Sequence, residues 1–306
     1  MKVPVSILIP IRNEEQNLPR ALASVAWADE VIVVDSGSTD HSVAIASRAG
    51  AVVVQFAFNG VWPKKKNWAL ENVPFRHEWV FILDADEVLP PQAADELAAI
   101  VATDGDGCEG YWINRRFMFM GVWLRHAYYP NWNLRFFRHR LGRYEQLVLG
   151  ATDSGDNEVH EHIIVQGRTG RLREEMDHYA FPTVGIFIEK HNRYSNWEAR
   201  LELEESRAVA ASAPQSWRIR VRRWLRRASR HLPFRPTLRF LYVYLWQRGI
   251  LDGRAGYHFA RLHAIYEYLS VVKAVELRQQ LDRAPVPPAV APTAPPELGA
   301  WAGGRR

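Results

Sequence analysis

The chain has 306 residues, a formal net charge of +5 and one cysteine, Cys108. That length supports one large domain or two small ones, with a core that needs no disulfide. A lone cysteine excludes a disulfide framework and a multi-cysteine zinc site, and it fits a reducing, cytoplasmic compartment.

The opening run "MKVPVSILIPIRNEE" reads as a first strand and its loop, without the successive regions of a signal peptide. Further short β-branched or aromatic runs follow at residues 30–35 ("EVIVVD"), 51–56 ("AVVVQF") and 79–84 ("WVFILD"). Helical patterns separate them: "EEQNLPRALASVA", "STDHSVAIASRAG" and "KKKNWALEN". Such alternation predicts an α/β fold with a mostly parallel central sheet flanked by helices. In "DSGSTDHS" a glycine turn precedes a Ser38/Thr39 helix cap.

From Gly110 the runs "GYWINRRFMFMGVWL" and "NLRFFR" read as antiparallel or edge strands, and "EVHEHIIVQG" as one more. After Phe181 the chain turns helical, and "APVPPAVAPTAPPELGAWAGGRR" is a Pro/Ala tail expected to be disordered. The expected division is therefore 1–180, an α/β domain; 181–280, a helical C-terminal extension; and 281–306, the tail. No apolar run approaches the roughly 20 residues that cross a bilayer; the longest, "FLYVYLW", ends at Gln247 and Arg248.

In open α/β sheets ligands sit beyond the carboxyl ends of the strands, and two of these strands end in aspartate, Asp35 and Asp84. On an extended segment Asp84 and Asp86 point the same way, a seat for a hard divalent cation, Mg²⁺ or Mn²⁺, bridging to a diphosphate. A D-x-D is also common in solvated loops and caps, and it is the strand end that favours the site here. By parity Glu87 lies on the other side. Lys64, Lys65 and Lys66 open a helix after Pro63 and read either as a phosphate seat or as a solvated basic turn. In "EVHEHI", His160 and Glu161 serve one site only if the strand ends or bends there, whereas a polar edge strand is the plainer reading. His178, alone before a helix, reads as a cap or core contact.

Taken together, "SILIPIRNEEQNL", "VIVVDSGSTD", "KKKNWAL", "FILDADE", "LRFFR…GRYE", "VHE", "HYAF…EKHNRYS" and "RGILDGRAGYHFA" resemble family 2 glycosyltransferases of the GT-A fold. The likeness is to the bacterial lipopolysaccharide-core β-1,4-glucosyltransferase type. It implies that residues 1–180 bind a nucleotide sugar, with Pro10, Arg12, Glu14 and Asp35 on the nucleotide and Lys66 and Asn67 near the diphosphate. It further implies Asp84 on the donor, Asp84 and Asp86 at a Mg²⁺ or Mn²⁺ ion with His160 beside it, and Glu161 as the catalytic base. Asp153 and Asp156 are alternatives for the base. The implied reaction is inverting transfer of a hexose, glucose from UDP-glucose being the family's suggestion, to a glycolipid acceptor such as the lipopolysaccharide core.

The arginine-rich segment 216–235, "SWRIRVRRWLRRASRHLPFR", has no acidic residue. With Trp217, Ile219, Val221, Trp224 and Leu225 it reads either as a peripheral contact with the inner face of the cytoplasmic membrane or as a helix packed on the catalytic domain. Trp112, Trp123, Tyr128, Tyr129 and Trp132 divide between a sugar-stacking acceptor wall and core packing. A polyprenyl-phosphate or protein acceptor is the nearer alternative. A nucleic-acid-binding protein is the distant one, and it leaves the acidic strand ends unexplained, so no nucleic acid is expected.

Overall fold

The computed structural model describes residues 2–146, 162–208 and 234–283. Its centre is β1 (Val3–Ile11), buried at every position except Pro4. Helix α1 (Leu18–Ser24), β2 (Ala28–Asp35), α2 (Ser42–Arg48), β3 (Val52–Gln55), α3 (Lys65–Asn72) and β4 (Trp79–Ile82) follow in chain order. β1 lies between β2 and β4 and parallel to both, with β3 beside β2. Val5, Ile7, Ile9 and Ile11 face one hydrophobic core, with Leu18 and Leu22 of α1, while Leu8 faces a second, with Ala69 and Leu70 of α3. Both faces of β1 are therefore covered, which is why its sequence is continuously apolar rather than alternating. Truncating Ile7 to alanine costs about 2–5 kcal/mol.

Beyond β4 the sheet becomes mixed. β5 (Glu87–Val88), α4 (Ala93–Ala102), β6 (Gly110–Phe119), β7 (Val122–Trp123), β8 (Trp132–Arg138), β9 (Gly142–Tyr144), β10 (Ile163–Val165) and β11 (Thr169–Phe181) complete the strand set. The sheet order is β3-β2-β1-β4-β8-β6-β11-β5, with β7 on β6 and a separate antiparallel β9–β10 pair. β6 is thus interior, antiparallel to β8 and parallel to β11. β11 is a 13-residue strand that the sequence conceals. Its buried Leu172, Met176 and Ala180 recur every four residues, a spacing that mimics a helix. His178 consequently sits on a strand.

Two local expectations also change. Ser38 and Thr39 do not cap α2, whose N-cap is His41; the loop uses their backbone and hydroxyl groups elsewhere. Residues 84–87 are not extended. Glu87 N–H donates to the Asp84 carbonyl at 2.9 Å, and Asp84 N–H donates to the Glu87 carboxylate at 2.9 Å, closing a turn. Of the "EVHEHIIVQG" strand, residues 158–161 lie outside the described residues, and Ile163–Val165 are strand.

The C-terminal elements are α5 (Val184–Ala208), α6 (Arg235–Leu241) with a π-helical turn at 242–246, and α7 (Gly253–Arg283). A third core, with Phe117, Phe119 and Ala180 of the sheet and Phe187, Val243 and Phe259 of the helices, fixes them to the sheet. Asp252 adds a polar tie by accepting the backbone N–H groups of Arg125, His126 and Ala127 at 3.0, 3.1 and 2.8 Å. Among the described residues no helix is long and apolar enough to cross a membrane. Most of the arginine-rich segment and the whole Pro/Ala tail from residue 284 lie outside the described residues.

Candidate active site

Parallel β1, β2 and β4 deliver Ile11, Asp35 and Asp84 to one edge of the sheet. The loops after β1 and β2 clasp each other there. Asn13 adopts φ 56°, a left-handed conformation asparagine tolerates. Its side-chain Oδ1 accepts Thr39 N–H at 2.8 Å and its backbone N–H donates to Ser38 Oγ at 2.9 Å. Glu14 N–H donates to Ser42 Oγ at 2.8 Å, and Glu15 N–H to Asp40 at 3.1 Å. Asp35, buried, accepts the Ser38 N–H. Pro10 is buried at the end of β1, while Arg12 is exposed at the mouth of the loop.

Asp84 is the hub. Its Oδ1 lies 2.8 Å from Lys66 Nζ and its Oδ2 2.6 Å from Arg135. Burial pushes its carboxyl up, but the charges of Arg135 and Lys66 outweigh that and hold it well below the usual carboxylate range. Arg135, from β8, also reaches the fully buried Glu87 at 2.8 Å, and Arg115, from β6, meets the same carboxylate at 3.3 Å. Lys66, Asp84, Arg135, Glu87 and Arg115 thus form one chain of alternating charge from the sheet edge into its middle. Removing one partner of a buried pair costs about 3–5 kcal/mol, so the chain fixes Asp84 in place.

Asp86 makes different contacts. Its carboxylate lies 3.5 Å from His178 Nε2, on β11, and 3.5 Å from Lys190 Nζ, on α5. Burial again raises its carboxyl, yet His178 and Lys190 together hold it well below its ordinary value. Glu14 lies within electrostatic reach; its carboxyl is raised by burial and by the nearby charges of Asp86 and Asp84, against a lowering hydrogen bond from Asn17. Lys190, whose burial works against its charge, is nonetheless held above its usual range by Asp86 and its neighbours. The structure thus brings together Glu14, Lys66, Asp84 and Asp86 from the sequence prediction, and adds Arg135, His178 and Lys190. The landmarks "LRFFR" and "HYAF…EKHNRYS" contain these residues, and an arginine at the centre of an apolar run is a signal of its own, since a buried guanidinium must find carboxylates.

The three lysines are not a solvated turn. Lys64, Lys65 and Lys66 are all buried, and Lys65 Nζ donates to the Ile11 carbonyl at 2.7 Å. Asn67 exchanges two hydrogen bonds with the Tyr144 backbone, at 2.9 and 2.8 Å, so its amide is spent on joining α3 to β9. Of the aromatic set, Tyr128 packs in the third core, and Trp112 packs partly buried against the second. Trp123 stacks edge-on against Tyr129 with Arg125 over its ring, and Arg171 covers Trp132. His160, Glu161, Asp153 and Asp156 lie outside the described residues. Among the described residues no three His, Cys, Asp or Glu side chains form a ready-made metal cluster.

Residues 6–155 match the family model described as glycosyl transferase family 2. A lipopolysaccharide core biosynthesis glycosyltransferase, LpsC, from Rhizobium meliloti is 27% identical over 310 residues, covering 92% of this chain and 98% of that protein. An uncharacterized glycosyltransferase from Rickettsia conorii is 32% identical over 200 residues, covering 64% of this chain and 69% of the relative. Among solved structures, the glucosyl-3-phosphoglycerate synthase of Mycobacterium tuberculosis, crystallised with Mn²⁺, UDP and glucosyl-3-phosphoglycerate, is 25% identical with a TM-score of 0.30. It covers 38% of this chain and 44% of that one. The chain belongs to glycosyl transferase family 2, and its mixed sheet with flanking helices is the GT-A fold.

Proposed function

We propose that this glycosyltransferase transfers a hexose, glucose first among candidates, from a nucleoside diphosphate sugar to a glycolipid acceptor of the lipopolysaccharide-core class, with inversion. The observation that carries the reading is the pair Asp84 and Asp86, both held ionised and both flanked by cations at the carboxyl edge of the parallel strands. Similarity to LpsC over nearly the whole chain supports the acceptor class.

The donor set fits Mg²⁺ or Mn²⁺. Each of the four carboxylate oxygens has one such contact, to Lys66, Arg135, His178 or Lys190, which leaves lone pairs for a metal. Two carboxylates, completed by diphosphate oxygens and water, are how such ions are commonly held. When bound, the cation supplies positive charge to the departing diphosphate. Lys66 adds charge on the same side, Asp35 and the first loop with Pro10, Arg12 and Glu14 receive the nucleoside, and Asn67 holds α3 in register. His178 orients Asp86, and His160 retains its sequence-based place beside the metal.

Glu161 takes the proton from an acceptor hydroxyl; that oxygen bonds to the anomeric carbon as the bond from carbon to the diphosphate oxygen breaks on the opposite face. One displacement gives inversion and needs no covalent sugar-enzyme intermediate. Substituting Glu161→Gln tests this step: transfer should disappear while donor binding persists. Normal turnover in Glu161→Gln would pass the role to Asp153 or Asp156. A glycolipid acceptor has the enzyme working at the cytoplasmic face of a membrane.

A further inference from the structure

Residues 234–251 carry an unusual outer surface. Phe234 and Trp246 are 78% and 80% exposed, and Leu241, Tyr242, Leu245 and Leu251 are also exposed. Inward-facing Val243 sits in the third core, so this segment is anchored through one side while its large apolar side chains stand in solvent. Monomeric proteins rarely leave such a run uncovered without a partner.

Charge selects the partner. Between Phe234 and Gly256 the sole acidic residue is Asp252, and it is turned inward onto the 125–127 backbone. Arg248 and Arg254 are exposed. A second copy docking the same face would bring these arginines against their own equivalents, which is repulsive. The chain's own segment 216–235 is basic as well and has no acidic residue to offer them. An anionic bilayer complements both features: aromatic and aliphatic side chains enter the headgroup boundary while arginines meet lipid phosphates.

We propose that the exposed apolar ridge of residues 234–251, with Arg248 and Arg254, is a docking surface for anionic lipid bilayers. The surface stands independently of the donor, the metal and the catalytic base.

The test is co-sedimentation of the full chain with phosphatidylcholine vesicles, with and without phosphatidylglycerol. Binding to the anionic vesicles is expected, and L245S/W246S should lower the partition coefficient about tenfold or more, with UDP binding and melting temperature kept. R248E/R254E should weaken anionic binding and flatten its salt dependence. The proposal is overturned if the parent ignores anionic vesicles or if both variants bind them as the parent does. It is equally overturned if the parent sediments as a dimer that L245S/W246S converts to monomer.

Discussion

Lys66 Nζ and Asp84 Oδ1 lie 2.8 Å apart, so one ion pair ties the first turn of α3 to the end of β4. It brings a lysine to the edge where the donor diphosphate is proposed to bind. Lys66→Met should raise the donor KM by roughly 10- to 100-fold, the scale of a charge-assisted hydrogen bond worth about 1.5–3 kcal/mol. Steady-state kinetics against the nucleotide sugar checks this; an unchanged KM would confine Lys66 to a structural role.

Asp86 stands outside the buried ionic chain, at 13% side-chain exposure, and meets His178 and Lys190 instead. Asp86→Ala should therefore leave the fold intact by circular dichroism. Turnover should drop about 100-fold or more, through loss of charge stabilisation on the leaving group. Activity near the parental level would contradict a metal role for this carboxylate.

Glu87 makes the opposite prediction. Its side chain is fully buried between Arg135 and Arg115, and Glu87→Gln takes the carboxylate from Arg115 and leaves Arg135 to Asp84 alone. Stability should fall by about 3–5 kcal/mol, read by denaturant unfolding. A loss below about 1 kcal/mol would mean that the arginines find other partners.

Two buried histidines set the acid side of stability. His191 packs flat on Phe187 and His263 lies beside it; burial pushes them down to about 4 and about 3, with Arg239 adding to the effect on His263. The unfolded chain takes up these protons near pH 6.5 whereas the folded chain does not. Their stabilisation is therefore complete above about pH 6.5 and declines by roughly 1.4 kcal/mol per histidine per pH unit as pH falls toward 4. Asp84 and Asp86, held below the carboxylate range, add a further loss below about pH 4. His263→Phe should flatten the upper part of this profile in urea titrations at pH 5 and 7; an unchanged slope would show that the site is not neutral when folded.

Much of the first half was legible in the sequence because parallel strands buried on both faces write themselves as apolar runs. "VSILIP" and "EVIVVD" lie within β1 and β2, and the Asp35 and Asp84 strand ends follow from those runs. β11 was not legible, since its buried residues fall every fourth position, and with it went the contact of His178 with Asp86. The lysine cluster stayed open between a phosphate seat and a solvated basic turn for another reason. Composition suggests solvent for three consecutive lysines, whereas the Ile11 carbonyl and the Asp84 carboxylate, distant in sequence, supply buried partners for two of them. Parity put Asp84 and Asp86 on one side of an extended segment, whereas residues 84–87 form a turn that leaves the two carboxylates within electrostatic reach of each other but with different partners. Glu87, set aside by the same parity, proved to be the innermost carboxylate of the ionic chain.

In the proposed function Asp84 and Asp86 hold a nucleoside diphosphate sugar through a divalent cation. Calorimetric titration of UDP-glucose into the parent and into D84N/D86N, with Mn²⁺ and with chelator, tests it most directly. Saturable Mn²⁺-dependent binding by the parent is expected, with a loss of affinity of about 30-fold or more in the variant, roughly 2 kcal/mol. Equal affinity in chelator, or parental affinity in D84N/D86N, would contradict it.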